Sequence, residues 1–313
     1  MQPVLEVEHL SISFLQYASG LNRRRLTVIH DLSLSISPGQ IVAVVGSSGS
    51  GKSLLAHGIL GILPYNASME GAIRYCGEPL DQARSERLRG SEIVLVPQGV
   101  NYLDPLMKVG AQLRKGRRGP DIVRRCREVL SRYGLGRETE ALYPFELSGG
   151  MARRVLVSAA VLESPRLIIA DEPTPGLDAR AAERILRHFR ELADGGAAVL
   201  FITHDLDLAL TVANRVAVLY AGETIEEAAA SDFTSGKLRH PYTRALWDAM
   251  PQNGFRPIPG AQPYPGEISQ GCLFAPRCPL CRPECTAGSI PYRAVGDGFV
   301  RCLADPERKG ETP

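Results

Sequence analysis

Apolar and charged residues interleave from Val4 to Phe14, and a second alternating stretch runs from Thr27 to Ile36. A period of two predicts two short strands, each with one buried face. Pro38-Gly39 turns the chain into Ile41–Val45, an unbroken apolar run of strand length that ends at a glycine. A helix is predicted to start near Lys52. From Pro120-Asp121 onward, Val123, Cys126, Val129, Leu130 and Tyr133 recur at helical spacing with arginines between them, predicting an amphipathic helix that Gly134 and Gly136 end. Leu167–Ala170 and Val199–Thr203 read as further buried strands, with Ile185, Phe189 and Leu192 marking a helix between them. Short apolar strands alternating with helices predict an α/β fold around a parallel sheet covered on both faces.

After about Ser235 the pattern changes. Prolines crowd between Pro251 and Pro291 and leave little room for regular helix or strand. No apolar periodicity there supports a separate core, so a bound metal centre is expected to hold the segment together. Five of the seven cysteines fall in it: Cys272, Cys278, Cys281, Cys285 and Cys302. In a reducing compartment, such clustering favours metal ligation over disulfides.

Composition narrows the class only slightly. A chain of 313 residues with 44% hydrophobic and 22% charged residues is globular in character. The net charge of +2 advertises neither nucleic acid nor an anionic membrane as a partner. No apolar run approaches the roughly 18–20 residues of a membrane-spanning helix. The interleaved start around Glu6, Glu8 and His9 differs from the basic-then-apolar order of a signal peptide, so a cytosolic location is expected.

The candidate chemistry lies at strand ends. Gly46-Ser47-Ser48-Gly49-Ser50-Gly51-Lys52-Ser53 fits the phosphate-binding loop G-x-x-x-x-G-K-[ST], after a buried strand and before a helix. Its glycines let backbone N–H groups approach phosphates, and the helix amino terminus adds partial positive charge. Lys52 is placed to neutralise β- and γ-phosphate charge, and Ser53 to ligate Mg²⁺. Arg166–Glu172 is an apolar strand delivering two carboxylates: Asp171 to hold Mg²⁺ through water, Glu172 to polarise an attacking water. Gln98 and His204 also follow apolar runs. Alone, either fits a structural role as well as a chemical one.

At Leu147-Ser148-Gly149-Gly150-Met151, before Asp171, the sequence resembles the ATP-binding cassette (ABC) ATPases, and the resemblance runs from about Leu5 to Glu227. It implies a P-loop NTPase core of RecA-like type with a helical subdomain. Gln98 becomes the Q-loop, Glu172 the catalytic glutamate, Pro175-Gly176-Leu177-Asp178 the D-loop and His204 the switch histidine, with Gln98 beside Ser53 and Asp171 at Mg²⁺. It also implies that Ser148, Gly149 and Gly150 act in trans on ATP held by a second ATPase subunit, identical or different. Tyr17 is the nearest aromatic for stacking on adenine. Met151 and Pro175-Gly176 depart from the commonest residues at their positions.

His240-Pro241-Tyr242-Thr243-Arg244-Ala245-Leu246 and Gly271-Cys272-Leu273-Phe274-Ala275-Pro276-Arg277-Cys278-Pro279 look like the tail of dipeptide, oligopeptide and nickel importer ATPases. In several such relatives the tail cysteines hold a [4Fe–4S] cluster, which maps onto Cys272, Cys278, Cys285 and Cys302. Cys281 forms C-x-x-C with Cys278 and keeps a tetrahedral zinc site open as the alternative. The resemblance thus implies an ATPase domain over 1–235, with its helical subdomain at about 98–165, and a Cys/Pro-rich extension over 236–313. The expected function is ATP hydrolysis energising an importer of peptides, nickel or a small metal chelate. Two transmembrane permease subunits and an extracytoplasmic solute-binding protein are the expected partners, at the cytoplasmic face of the inner membrane. The alternative is a soluble ABC ATPase acting on nucleic acid or ribosomes, although no coiled-coil insertion or second cassette points that way.

Overall fold

A computed structural model describes residues 2–19, 22–47, 49–267 and 270–304. Among them, twelve strands form one sheet: β1 (Leu5–Ser19), β2 (Asn22–Ile36), β3 (Ile41–Gly46), β4 (Ala67–Tyr75), β5 (Glu78–Pro79), β6 (Ile93–Val96), β7 (Leu167–Asp171), β8 (Ala198–Thr203), β9 (Arg215–Tyr220), β10 (Glu223–Ala229), β11 (Arg293–Val295) and β12 (Gly298–Val300). The helices are α1 (Lys52–Ile59), α2 (Gln82–Leu88), α3 (Val109–Arg114), α4 (Pro120–Arg132), α5 (Gly149–Val161), α6 (Ala179–Asp194), α7 (Leu206–Val212), α8 (Ala230–Thr234) and α9 (Pro241–Asp248).

The strand order β5-β4-β1-β2-β10-β9-β3-β8-β7-β6 divides the sheet into two kinds. The β9-β3-β8-β7-β6 half is parallel, and β3, β7 and β8 are buried at every position, which is why they read as continuous apolar runs. In the other half every pair but β2–β10, which is parallel, is antiparallel, so the expected all-parallel sheet is corrected to a mixed one. β1 and β2 are joined directly as a hairpin without a crossover helix, and both run longer than the short strands expected. Their outer ends carry exposed polar side chains such as Gln16, Arg23 and Arg24, where alternation fades.

Two apolar clusters pack against the sheet, and a third, with Val109, Leu113, Cys126, Leu130 and Val155, lies among α3, α4 and α5. The predicted amphipathic helix is α4, with Pro120 at its first turn and Cys126 and Leu130 buried. α5 belongs to both bodies: Val155 and Leu156 face the helical cluster, while Val157, Ala160 and Val161 join the sheet core.

The proline-rich tail is more regular than its sequence suggests. It contains α9 and the β11–β12 hairpin, and β12 extends the main sheet by pairing with β10. Its core is borrowed: Tyr242, Met250, Leu273 and Phe274 pack into the same apolar cluster as β9. Glu226 on β10 accepts the backbone N–H groups of Arg239 and His240, both at 2.8 Å, tying the start of α9 to the sheet. Metal ligation is therefore not the sole support of this segment. Short apolar contributions spread over turns and prolines produce no period that a sequence reading detects.

Candidate functional site

β3 ends at Gly46 and hands the chain to α1 through the phosphate loop. Two glycines there are sterically required. A Cβ on Gly46 would lie 2.4 Å from the Leu219 carbonyl oxygen of β9, and Gly51, at φ 92°, would place one 2.8 Å from Ile29 Cγ1. Gly51 caps α1 without a side-chain partner, and no acidic residue occupies the first turn, so the helix terminus is open to an anion. Ser48 lies outside the described residues.

The Lys52 ammonium donates to the carbonyl oxygens of Gly46, at 2.8 Å, and Ser47, at 2.9 Å. Burial pushes the Lys52 pKa down, opposed by the negative charges of Glu172 and Asp171. Asp171, at the end of β7, is pushed the other way, up, by its own burial, against a hydrogen bond from Ser53. Its Oδ1 and the Ser50 hydroxyl are buried without a hydrogen-bond partner. Such atoms fit a site built for a further polar ligand. A carboxylate beside a serine hydroxyl is also the hard oxygen donor set that Mg²⁺ takes, mostly through water.

Glu172 adopts φ 48°, unusual for a residue with a side chain. Its N–H donates to the Ile202 carbonyl at 2.9 Å, and its Oε1 accepts the His204 N–H at 2.9 Å and faces His204 Nδ1 at 2.7 Å. Glu172 is buried while His204 is exposed at the rim. Gln98, just past β6, is exposed. One cavity is lined by Gly49, Gly51, Lys52, Ser53, Gln98 and the Asp171-Glu172 pair, with His204 at its edge. Residues far apart in the chain thus meet at the carboxyl ends of parallel strands, where α/β sheets place their ligands.

Three of the predicted site elements lie elsewhere. Ser148 caps α5 by accepting the Met151 N–H at 3.3 Å, and Gly149 is exposed beside it. Asp178 caps α6 by accepting the Ala181 N–H at 2.9 Å. A Cβ on Gly150 would come within 3.6 Å of the Gly176 carbonyl, so the two glycine segments pack side by side on a surface apart from the cavity. Tyr17 is exposed near the end of β1, with the Arg23 guanidinium over its ring, and does not line the cavity.

Arg153 is a residue of the site that no motif in the sequence marks. From α5 it donates to the backbone carbonyls of Glu172, at 2.7 Å, and Gln98, at 2.6 Å. It links the helix that begins at Ser148 to both flanks of the cavity. The only sequence signal was an arginine two residues after Met151, within a pair of arginines.

In the tail, Cys272, Cys278, Cys285 and Cys302 line one enclosed cavity together with His240, whereas Cys281 is exposed and outside it. Burial raises the Cys272 thiol to about 12 and Cys278 to about 11, and also raises Cys302, so forming thiolates there calls for a nearby positive centre. Among the described residues, no group of three or more His, Cys, Asp or Glu side chains is arranged to hold a metal ion.

Comparison with known proteins agrees in both parts of the chain. Residues 29–175 match the family described as ABC transporter, and residues 225–285 match the oligopeptide/dipeptide transporter C-terminal region. The "Oligopeptide transport ATP-binding protein OppD" of Mycobacterium tuberculosis is 37% identical over 91% of this chain. The chain spans 49% of that relative's length. A "Putative peptide import ATP-binding protein" of Brucella melitensis is 32% identical over 96% of this chain and 94% of its own. Among solved structures, a dimeric ATP-binding cassette in a post-hydrolysis state bound to ADP and Pi superposes with a TM-score of 0.63, at 26% identity, over 72% of this chain and 98% of its own. An ATP-binding subunit of an ABC transporter gives 0.61 at 26% identity, over 75% of this chain and 93% of its own. Among the described residues, no helix is long and apolar enough to cross a membrane.

Proposed function

We propose, from the premise that this chain belongs to the ATP-binding proteins of ABC transporters, with their oligopeptide/dipeptide-type C-terminal region, that it hydrolyses ATP to drive uptake of short peptides. The observation that carries the proposal is the cavity uniting Lys52, Ser53, Gln98, Asp171, Glu172 and His204, with the buried Oδ1 of Asp171 left unpartnered on it. Relatives named for peptide transport favour peptides over nickel or a chelate as the cargo.

In this reading Lys52 leaves the loop carbonyls to meet the β- and γ-phosphates, while the loop N–H groups and the start of α1 cradle them. Ser53, Asp171 and Gln98 hold Mg²⁺, which when bound neutralises phosphate charge. Glu172 orients and polarises the attacking water, and His204 keeps that carboxylate in place. Ser148, Gly149 and Asp178 are exposed and Gly150 half-buried, and this segment serves the ATP of a second ATPase subunit, identical or different. The assembly includes two permease subunits and an extracytoplasmic solute-binding protein, and the chain works at the cytoplasmic face of the inner membrane. Residues 1–235 form the ATPase, with 98–165 as its helical subdomain, and 236–313 the extension. Within the extension, Cys272, Cys278, Cys285 and Cys302 take a [4Fe–4S] cluster, which when bound cross-links the segment.

The test is short-peptide uptake and ATP turnover in the reconstituted transporter. Lys52→Ala is expected to abolish both. Uptake independent of Lys52, or nickel uptake lost while peptide uptake persists, overturns the proposal.

A further inference from the structure

The tail touches the phosphate loop itself. Ser47, the residue after the loop's first glycine, donates its hydroxyl proton to Gln262 Oε1. The Tyr242 side chain lines one cavity with Gly46, Ser47 and Gln262. Both tail residues stand on firm supports. Tyr242 is 3% exposed on α9, its ring 4.5 Å from that of Tyr220 at the end of β9 and 5.4 Å from that of Phe274. The stretch leading to Gln262 is pinned by Arg277, which donates to the carbonyls of Pro259 (2.7 Å) and Ile258 (3.2 Å) and to the Tyr220 hydroxyl (3.1 Å).

Ser47 is thereby held from two sides. Lys52 takes its carbonyl from within the loop, and the tail takes its hydroxyl from without. The two holds respond differently to nucleotide. When Lys52 turns to the phosphates it releases the Gly46 and Ser47 carbonyls, and the tail contact to the Ser47 hydroxyl remains, beside the Ser50 N–H on the Ser47 carbonyl at 3.3 Å. A loop that has to order itself around a ligand loses affinity through the entropy of ordering, and contacts that order it beforehand recover that loss.

We propose that Tyr242 and Gln262 are positioning residues for nucleotide: they hold the first turn of the phosphate loop in shape through Ser47, so that the C-terminal extension sets ATP affinity. The inference rests on the ATP-binding reading above. Linkage makes the coupling reciprocal, so bound ATP also stabilises the tail against the loop.

The test titrates a fluorescent MgATP analogue into the purified full chain and its Lys52→Ala, Gln262→Ala, Tyr242→Phe, Ser47→Ala and Ser47→Ala/Gln262→Ala variants. Gln262→Ala is expected to weaken binding about five-fold, the scale of one net hydrogen bond, and Tyr242→Phe, which keeps the ring packing, by less. The double variant should bind no more weakly than Ser47→Ala alone, because Gln262 acts through that hydroxyl. In the assembled ATPase the two tail variants should raise KM and leave kcat unchanged, with melting temperatures of the nucleotide-free chain equal to the parent's. Should Tyr242→Phe fold poorly, Gln262→Ala, at a half-buried polar position, decides the matter. Unchanged affinity in the tail variants while Lys52→Ala fails to bind, or additive losses in the double variant, overturns this inference alone. Failure of the parent to bind, or equal binding by Lys52→Ala, overturns the ATP reading instead.

Discussion

Glu172 and His204 are fastened to each other twice, through the His204 N–H at 2.9 Å and Nδ1 at 2.7 Å, both on Oε1 of the glutamate. This leaves Oε2 with one long contact, 3.4 Å from the Thr203 hydroxyl. The left-handed backbone at Glu172 costs about 1–3 kcal/mol in general, and here the Ile202 and Arg153 hydrogen bonds hold it. Strain retained at one carboxylate fits a group whose direction matters.

Replacing that carboxylate separates binding from chemistry. Glu172→Gln keeps shape and hydrogen bonds but removes the base, so ATP affinity should stay near the parent's while turnover falls about 10²–10⁴-fold. His204→Ala should lower turnover less, since the His204 N–H contact survives. Single-turnover hydrolysis beside nucleotide binding checks this. Undiminished turnover in Glu172→Gln would remove the residue from its assigned role.

Arg153 yields a second expectation. Its guanidinium spans two carbonyls that a lysine ammonium reaches only one at a time. Arg153→Ala should reduce turnover about ten-fold by loosening the α5 contact with Gln98 and Glu172, with nucleotide affinity at the loop retained. Arg153→Lys should fall between. A matched loss of affinity and turnover in Arg153→Ala would mean that it only supports the fold.

Much of this site was legible in the chain because its motifs are local. The loop from Gly46 to Ser53 and the strand ending in Asp171-Glu172 announce themselves by spacing and by flanking apolar runs. Gln98 and His204 are weak signals alone, and only the order β3-β8-β7-β6 in the sheet explains why they face one cavity. Arg153 and Gln262 stand in no motif, and Tyr242, though part of the His240–Leu246 motif, has nothing beside it in the chain that points to the phosphate loop. Their partners are backbone carbonyls or a loop hydroxyl as many as 215 residues away, and long-range hydrogen bonds leave no period in a sequence. The antiparallel half was half-visible for a similar reason: alternation marks a strand, but pairing direction follows from connections.

Acid stability should depend on a buried histidine remote from the site. His188 on α6 faces the Tyr133 hydroxyl through Nδ1, and burial, aided by the Arg132 charge, lowers its pKa from 6.5 to about 4. Between those values the unfolded chain binds a proton that the folded chain does not, so stability falls as the pH drops from 6.5 towards 4. His188→Gln should be less stable than the parent above pH 6.5 and should lose up to about one proton's share of the slope below it. Urea midpoints across this range give the answer, and parallel slopes for parent and variant would reject it.

The tail cysteines separate by position. Cys272, Cys278, Cys285 and Cys302 face a common cavity, and Cys281 faces solvent. If the four thiols ligate a cluster, anaerobically purified protein should hold about four iron and four sulfide per chain with visible charge-transfer absorption. Cys272→Ser and Cys285→Ser should each lose most of that iron, because no other buried thiol on the cavity can substitute. Cys281→Ser should keep it. Stoichiometric zinc without sulfide would replace the cluster with a mononuclear site, and iron loss in Cys281→Ser equal to that in Cys285→Ser would redraw the ligand set. Because His240, whose backbone N–H is held by Glu226, lines the same cavity two residues before Tyr242, cluster loss should also loosen α9. Faster amide exchange across Pro241–Asp248 in the Cys285→Ser protein would register that loosening, and unchanged exchange would show the aromatic packing to be sufficient by itself.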